Sequence, residues 1–251
     1  MDRATITRRL PAGLKRRLRP IVVPAAYALE RRKLARLYAG FVGPGDLVLD
    51  IGAAEGHHTA TFRQLGARVV AVEPQPRFVA ALQRRFAGDG EVTVDPRGAA
   101  AEPGRLELAV SIGDPELTTF ALDRMQSGRY HDRQWEERVE VEVTTLDALI
   151  EAHGRPAFVK IDVEGFEPEV LAGLSIAPGA LSFEFSLDRL DAVEACVGRI
   201  GGLGTARFNH SWARRHELDG GSWVDGARLV ERLGSAVASR HGGGDVFARF
   251  V

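Results

Sequence analysis

The chain has 251 residues, with 33 basic against 34 acidic side chains, one cysteine and 45% hydrophobic residues. That length suits one large α/β domain or one domain with an appendage, and the composition excludes wholesale disorder, collagen and coiled coil. A lone Cys196 excludes an internal disulfide framework and a cysteine-built zinc site, and no uncharged run approaches the roughly 18 residues that span a bilayer.

The near-zero balance hides an asymmetry. Residues 1–36 carry eleven basic and two acidic side chains, which leaves 22 basic against 32 acidic for the rest. Pro11, Gly13, Pro20 and Pro24 make residues 1–24 read as an extended arm. Leu34, Leu37, Tyr38 and Phe41 recur at helical spacing and predict an amphipathic helix over about 25–41. Residues 1–42 are therefore read as a basic arm and cap helix, ahead of a main domain over 43–251. The cationic face is either solvated or drawn to an anionic partner, a peripheral membrane surface or an acidic carrier. The acidic body argues against specific nucleic-acid binding. No apolar h-region of signal-peptide type follows the basic start, so no secretory signal is read and the expected location is cytoplasmic.

From residue 46 short apolar runs alternate with helical segments. Asp46–Ile51 and Arg68–Val72 read as buried strands, Glu91–Val94 as a third, with helices through Leu65 and over Pro76–Phe86 between them. That alternation indicates βαβ units and a parallel sheet. Arg105–Val110 and the strictly alternating Val139–Thr144 break the rhythm as an inserted hairpin, and the polar stretch 112–137 between them reads as a mobile loop. Thr145–His153 is a short helix, Phe158–Val163 a strand and Glu167–Leu174 a helix. Leu181–Phe185, Arg207–Asn209 and Val246–Val251 are further strands, with helices over Leu187–Ile200 and about 225–239.

Asp50-Ile51-Gly52-Ala53-Ala54-Glu55-Gly56 follows a strand and opens a helix, where glycine lets backbone N–H groups approach a ligand. Glu73 ends the next strand, 21 residues after Gly52, where an acid accepts hydrogen bonds from ribose hydroxyls; Pro74 closes that strand. The chain lacks GxGxxG at this turn and lacks GxxxxGK[ST], so the nucleoside fits S-adenosyl-L-methionine better than NAD or ATP.

Asp50–Gly56 with Thr59, Ala71–Pro74, Thr145–Asp147 and Val159–Glu167 (VKIDVEGFE) together resemble the FkbM family of S-adenosylmethionine-dependent methyltransferases, over about residues 46–185. Glu55 departs from the asparagine of many members. The resemblance implies a class I, Rossmann-like α/β methyltransferase fold, a seven-stranded, mostly parallel sheet with a reversed final hairpin. It also implies methyl transfer to a hydroxyl of a small-molecule, glycan or carrier-bound natural-product substrate. Thr118, Thr119 and Phe120 resemble the family's loop near the substrate, and residues 205–251 would be its substrate-side hairpin region.

The expected cofactor contacts are Asp50, Gly52, Ala53, Glu55, Gly56, Thr59, Glu73, Pro74, Asp95 and Asp162. In a strand, Lys160, Asp162 and Glu164 point the same way. Asp162 is the first candidate for general base or hydroxyl ligand, Glu164 the second, with Lys160 orienting Asp162. The alternatives are a Lys160–Asp162 ion pair with a helix-initiating Glu164, or a divalent metal on Asp162, Glu164 and Glu184; the site is read without a metal. His58 (or His57), Thr119, Glu184 and His210 are substrate-side candidates. A non-catalytic cofactor-fold scaffold recruited by the basic arm is the competing reading.

Overall fold

The computed structural model describes residues 30–110, 118–121, 137–213, 215–219, 221–237 and 242–251. The expected arm over 1–24 and most of the 112–137 loop lie outside these residues. Among the described residues no helix is long and apolar enough to cross a membrane.

Among the described residues ten strands form two sheets. β1 (Leu47–Ile51), β2 (Arg68–Val72), β3 (Val92–Asp95), β7 (Phe158–Ile161), β8 (Ala180–Ser186), β9 (Ala206–Trp212) and β10 (Gly243–Phe250) make a seven-stranded sheet in the order β3-β2-β1-β7-β8-β10-β9. Its first five members run parallel, and β10 inserts antiparallel between β8 and β9. The order turns back at β1, so the carboxyl ends of β1 and β7 flank the crevice where open α/β sheets take ligands. LVLDI and the last four residues of RVVAV are buried on both faces, which is why these segments read as continuous apolar runs rather than alternating ones.

Helices cover both faces. On one face a helix over residues 30–38 (α1) and α2 (His57–Gln64) bury Leu34, Tyr38 and Phe62 against Val48, Phe158 and Phe247. On the other, α4 (Leu146–His153), α5 (Glu167–Ala172), α6 (Leu190–Leu203) and α7 (Gly226–Ala236) cover the larger core around Leu49, Ile161, Phe183 and Val246. Thr145 caps α4 by accepting from Ala148 N at 3.1 Å, and Asp225 caps α7 from Arg228 N at 2.9 Å. α3 (Pro76–Arg85) follows β2 with proline in its first turn.

The inserted hairpin is present. β5 (Gly104–Val110) and β6 (Glu137–Thr144) pair antiparallel, and β6 alternates half-buried valine with exposed glutamate over residues 139–142, as its sequence predicts, before Val143 and Thr144 are both buried. A two-residue strand, β4 (Gly98–Ala99), which the sequence does not signal, pairs with β6 to complete a three-stranded sheet. Residues 118–121 join it through an Ala109–Thr119 bridge.

One expectation about side-chain direction is corrected. β7 ends at Ile161, so strict alternation does not extend to Glu164. Glu164 (φ 53°) and Gly165 (φ 96°) both take left-handed backbone, and the chain turns sharply there into α5.

Candidate active site

The crevice is built from turns that lock into one another. Gly52 has φ 78°, and a Cβ at this position would overlap the carbonyl oxygen of Asp162. The glycine therefore serves the packing of the β1 turn on the β7 turn, in addition to any close ligand approach. Gly56 (φ 75°) opens α2, and a Cβ at this position would crowd the side chains of Leu82 and Phe86. Between them Ala54 N donates to Glu73 Oε2 at 2.9 Å, and Gln75 N donates to Oε1 at 2.8 Å. Two backbone amides thus aim the buried Glu73 carboxylate. Burial pushes its pKa up to about 7, against the opposing pull of those N–H groups.

Beneath the crevice runs a buried chain of charge. Thr59 Oγ1 donates to Asp50 Oδ2 at 2.6 Å, and Lys160 Nζ lies 3.7 Å from Asp50 Oδ1 and 3.1 Å from Asp162 Oδ2. Asp50 is held above the usual carboxylate range by burial, with Lys160 and Thr59 opposing. Burial alone would lower the Lys160 ammonium, but Asp162 and Asp50 reverse this and hold it protonated. Such a cation costs little only because both carboxylates face it.

The Asp162–Gly165 turn is held from below by Glu167. Its Oε1 accepts from Val163 N at 3.1 Å and Gly165 N at 3.0 Å while the side chain is buried. Thr119 Oγ1 donates to the Glu164 carbonyl at 3.0 Å, and Gln75 Nε2 to Thr118 Oγ1 at 2.7 Å, so residues 118–121 are tied across the opening.

These elements enclose a cleft of about 250 Å³ lined by Gly52, His58, Glu73, Pro74, Thr119, Asp162 and Glu164 among the expected residues. Lys160, Asp50 and Thr59 stand behind it as support. Glu55 is exposed and pairs with His57 at 3.4 Å, so of the two histidines His58 is the one that lines the cleft. Ala53 and Gly56 shape the turn without lining the cleft. Asp95 is clamped by Arg97 at 2.9 and 2.6 Å; burial raises its pKa, but the Arg97 bonds outweigh this and leave it low. Glu184 borders a neighbouring hollow with Glu167 and Arg189. His210 lies apart, 3.2 Å from Asp219 beside α7. One carboxylate oxygen each of Asp162, Glu164 and Glu184 lie within 4.8 Å of one another, hard donors spaced for a shared hydroxyl or a hard cation.

Sequence reasoning missed Glu167 as the brace of the turn and Tyr38 as the partner of His58 (3.0 Å). An acid two residues past Gly165, in the turn that follows β7, was the available signal for the first. The second joins segments too distant in sequence to pattern.

The residues suit the cofactor inferred from the sequence. The cleft wall holds Glu73, Asp162 and Glu164 and, among the described residues, no lysine or arginine. It therefore offers ribose and sulfonium partners but no cradle for phosphates. Val72, Phe78, Leu108 and Phe120 supply apolar walls for a base.

Sheet order, the reversed last hairpin and this cleft define a class I S-adenosylmethionine-dependent methyltransferase. Residues 50–192 match the family model of the methyltransferase FkbM domain, and the chain belongs to that family. Among solved structures it is similar to precorrin-6y C5,15-methyltransferase from Geobacter metallireducens, at 12% identity over 90% of this chain and 86% of that one (TM-score 0.43). It is also similar to an O-methyltransferase from Thermotoga maritima, at 13% over 91% and 65% (TM-score 0.40). An rRNA methylase from Streptococcus thermophilus aligns at 12% over 89% and 95% (TM-score 0.42). Comparison with curated proteins finds no match.

Proposed function

We propose that the chain methylates a hydroxyl oxygen of a small or carrier-bound substrate, with Asp162 as the group that orients the hydroxyl and takes its proton. The observation that carries this reading is the placement of Asp162: it lines the cleft, yet Lys160 fixes it from behind at 3.1 Å. A hydroxyl is a poor nucleophile until a positioned carboxylate relieves it of its proton. Bound S-adenosylmethionine supplies the electrophilic methyl group. Glu73 and the Gly52–Ala54 turn would hold the nucleoside, with Asp162 and Glu164 toward the acceptor side. Glu164, on its strained turn, is the second hydroxyl ligand.

The test is turnover with S-adenosylmethionine and a panel of alcohol, polyol, amine and thiol acceptors, read by mass spectrometry. One added methyl on an alcohol oxygen is expected. Methylation confined to nitrogen, sulfur or carbon acceptors would overturn the assignment. Asp162→Asn should lower kcat by about 10²–10⁴-fold, the usual worth of a positioned base.

A further inference from the structure

We propose that Tyr38 is a positioning residue that holds His58 as the neutral Nε2–H tautomer, so that the cleft presents a fixed donor to an oxygen acceptor on its ligand. Tyr38 comes from α1, outside the strand-end turns that form the rest of the site. Its side chain is 1% exposed and wedged among Phe62, Phe158 and Phe247, with ring centroids 4.6 to 6.3 Å away. Within this apolar setting the hydroxyl meets one polar partner among the described residues, His58 Nδ1 at 3.0 Å.

The direction of that hydrogen bond follows from satisfying every group. A buried hydroxyl proton with no acceptor is costly. If Nδ1–H donated to the tyrosine oxygen, the phenol proton would have nowhere to go. The phenol therefore donates, Nδ1 carries the lone pair, and the imidazole proton resides on Nε2. Burial holds Tyr38 well above the ordinary phenol value, with Asp245, Asp50 and Asp162 adding to it, so the hydroxyl keeps its proton. Burial likewise depresses His58, helped by Lys160, His216 and His57, so the ring stays neutral.

His58 lines the cleft, and its Nε2 has no partner among the described residues. It sits in the first turn of α2, where the backbone amides also favour negative charge. Donor and helix end together fit a carboxylate or a lone-pair oxygen, and they bar His58 from acting as a base. That oxygen belongs either to the amino-acid end of the cofactor or to the acceptor.

The tautomer is measured on the full unliganded chain by imidazole 15N NMR, with the His58 signal assigned by its loss in His58→Gln. This measurement stands whether or not oxygen is the methylated atom. Wild type should show Nε2–H alone, and Tyr38→Phe, which keeps the ring, should gain an Nδ1–H population. A wild-type Nδ1–H signal, or an unchanged tautomer in Tyr38→Phe, would overturn the proposal. S-adenosylhomocysteine and methylthioadenosine, which lacks the carboxylate, separate the sources. Slowed solvent exchange of the Nε2 proton with the first alone identifies the cofactor carboxylate, and His58→Leu then weakens S-adenosylhomocysteine by about threefold to tenfold. His58→Gln, which keeps an N–H at the same reach, should largely retain that affinity. Slowing by neither ligand assigns the oxygen to the acceptor. Slowing by both alike would overturn the assignment to the cofactor carboxylate or the acceptor, because methylthioadenosine shares only the nucleoside and thioether with S-adenosylhomocysteine.

Discussion

Lys160 Nζ stands 3.1 Å from Asp162 Oδ2 where the buried sheet opens into the cleft. The ammonium is almost fully enclosed, whereas the Asp162 side chain is 34% exposed. One partner is buried within the sheet and the other opens onto the cleft. Lys160→Met should therefore leave Asp50 as an uncompensated buried charge and cost about 3–5 kcal/mol of stability in urea unfolding. A loss below about 1 kcal/mol would show that Lys160 is not what compensates the buried Asp50 between the central strands β1 and β7.

Glu73 carries a pH signature. Its folded pKa is about 7, raised by burial. Between the ordinary carboxylate range and pH 7 the folded chain binds more protons than the unfolded one. This group therefore lowers stability as pH rises through that window, by about 3 kcal/mol in all. On the proposed placement ribose hydroxyls would bind the carboxylate form, so S-adenosylhomocysteine affinity should rise toward pH 7 by up to about tenfold per unit and then level. Calorimetry in buffers of different ionisation enthalpy should detect proton release on binding at pH 6. Glu73→Gln should abolish that release and weaken binding by about 1–3 kcal/mol.

Gly52→Ala should be more damaging than its size suggests. The added methyl meets the Asp162 carbonyl, and φ 78° disfavours alanine. Overpacking of this kind costs about 1–3 kcal/mol or more. Thermal unfolding and S-adenosylhomocysteine titration should both register it.

Glu167→Ala should act on turnover more than on cofactor binding. Val163 N and Gly165 N lose their shared acceptor, worth about 1–3 kcal/mol when buried. Loosening the turn should lower kcat while S-adenosylhomocysteine affinity stays within about threefold.

The order of strands and helices was legible because each apolar run between residues 46 and 94 is short and bounded by a glycine or proline signal. That Gly52 and Glu73 line one cleft was legible from the glycine turn after one strand and the acid ending the next. The split of roles within VKIDVEG was not, because period-two alternation ends at Ile161 and the backbone turns left-handed at Glu164. Asp95 shows the same limit from another side. Its position after β3 suggests a ligand contact, but which partner it takes depends on Arg97 folding back two residues later. β4 is too short to carry a pattern at all.

The backbone contact between Gly52 and the Asp162 carbonyl makes the cleft a property of the finished sheet. β1 and β7 are adjacent in space but separated by more than a hundred residues of chain, including the whole inserted hairpin. A partly folded chain that has paired β1 with β2 alone has the glycine turn without its opposing wall. Ligand affinity should thus vanish together with global structure, and bound cofactor should protect the entire sheet. A hundredfold excess of S-adenosylhomocysteine over its Kd should add about 2.7 kcal/mol to the unfolding free energy. In a cell, such a chain would resist proteolysis in proportion to its supply of methyl donor.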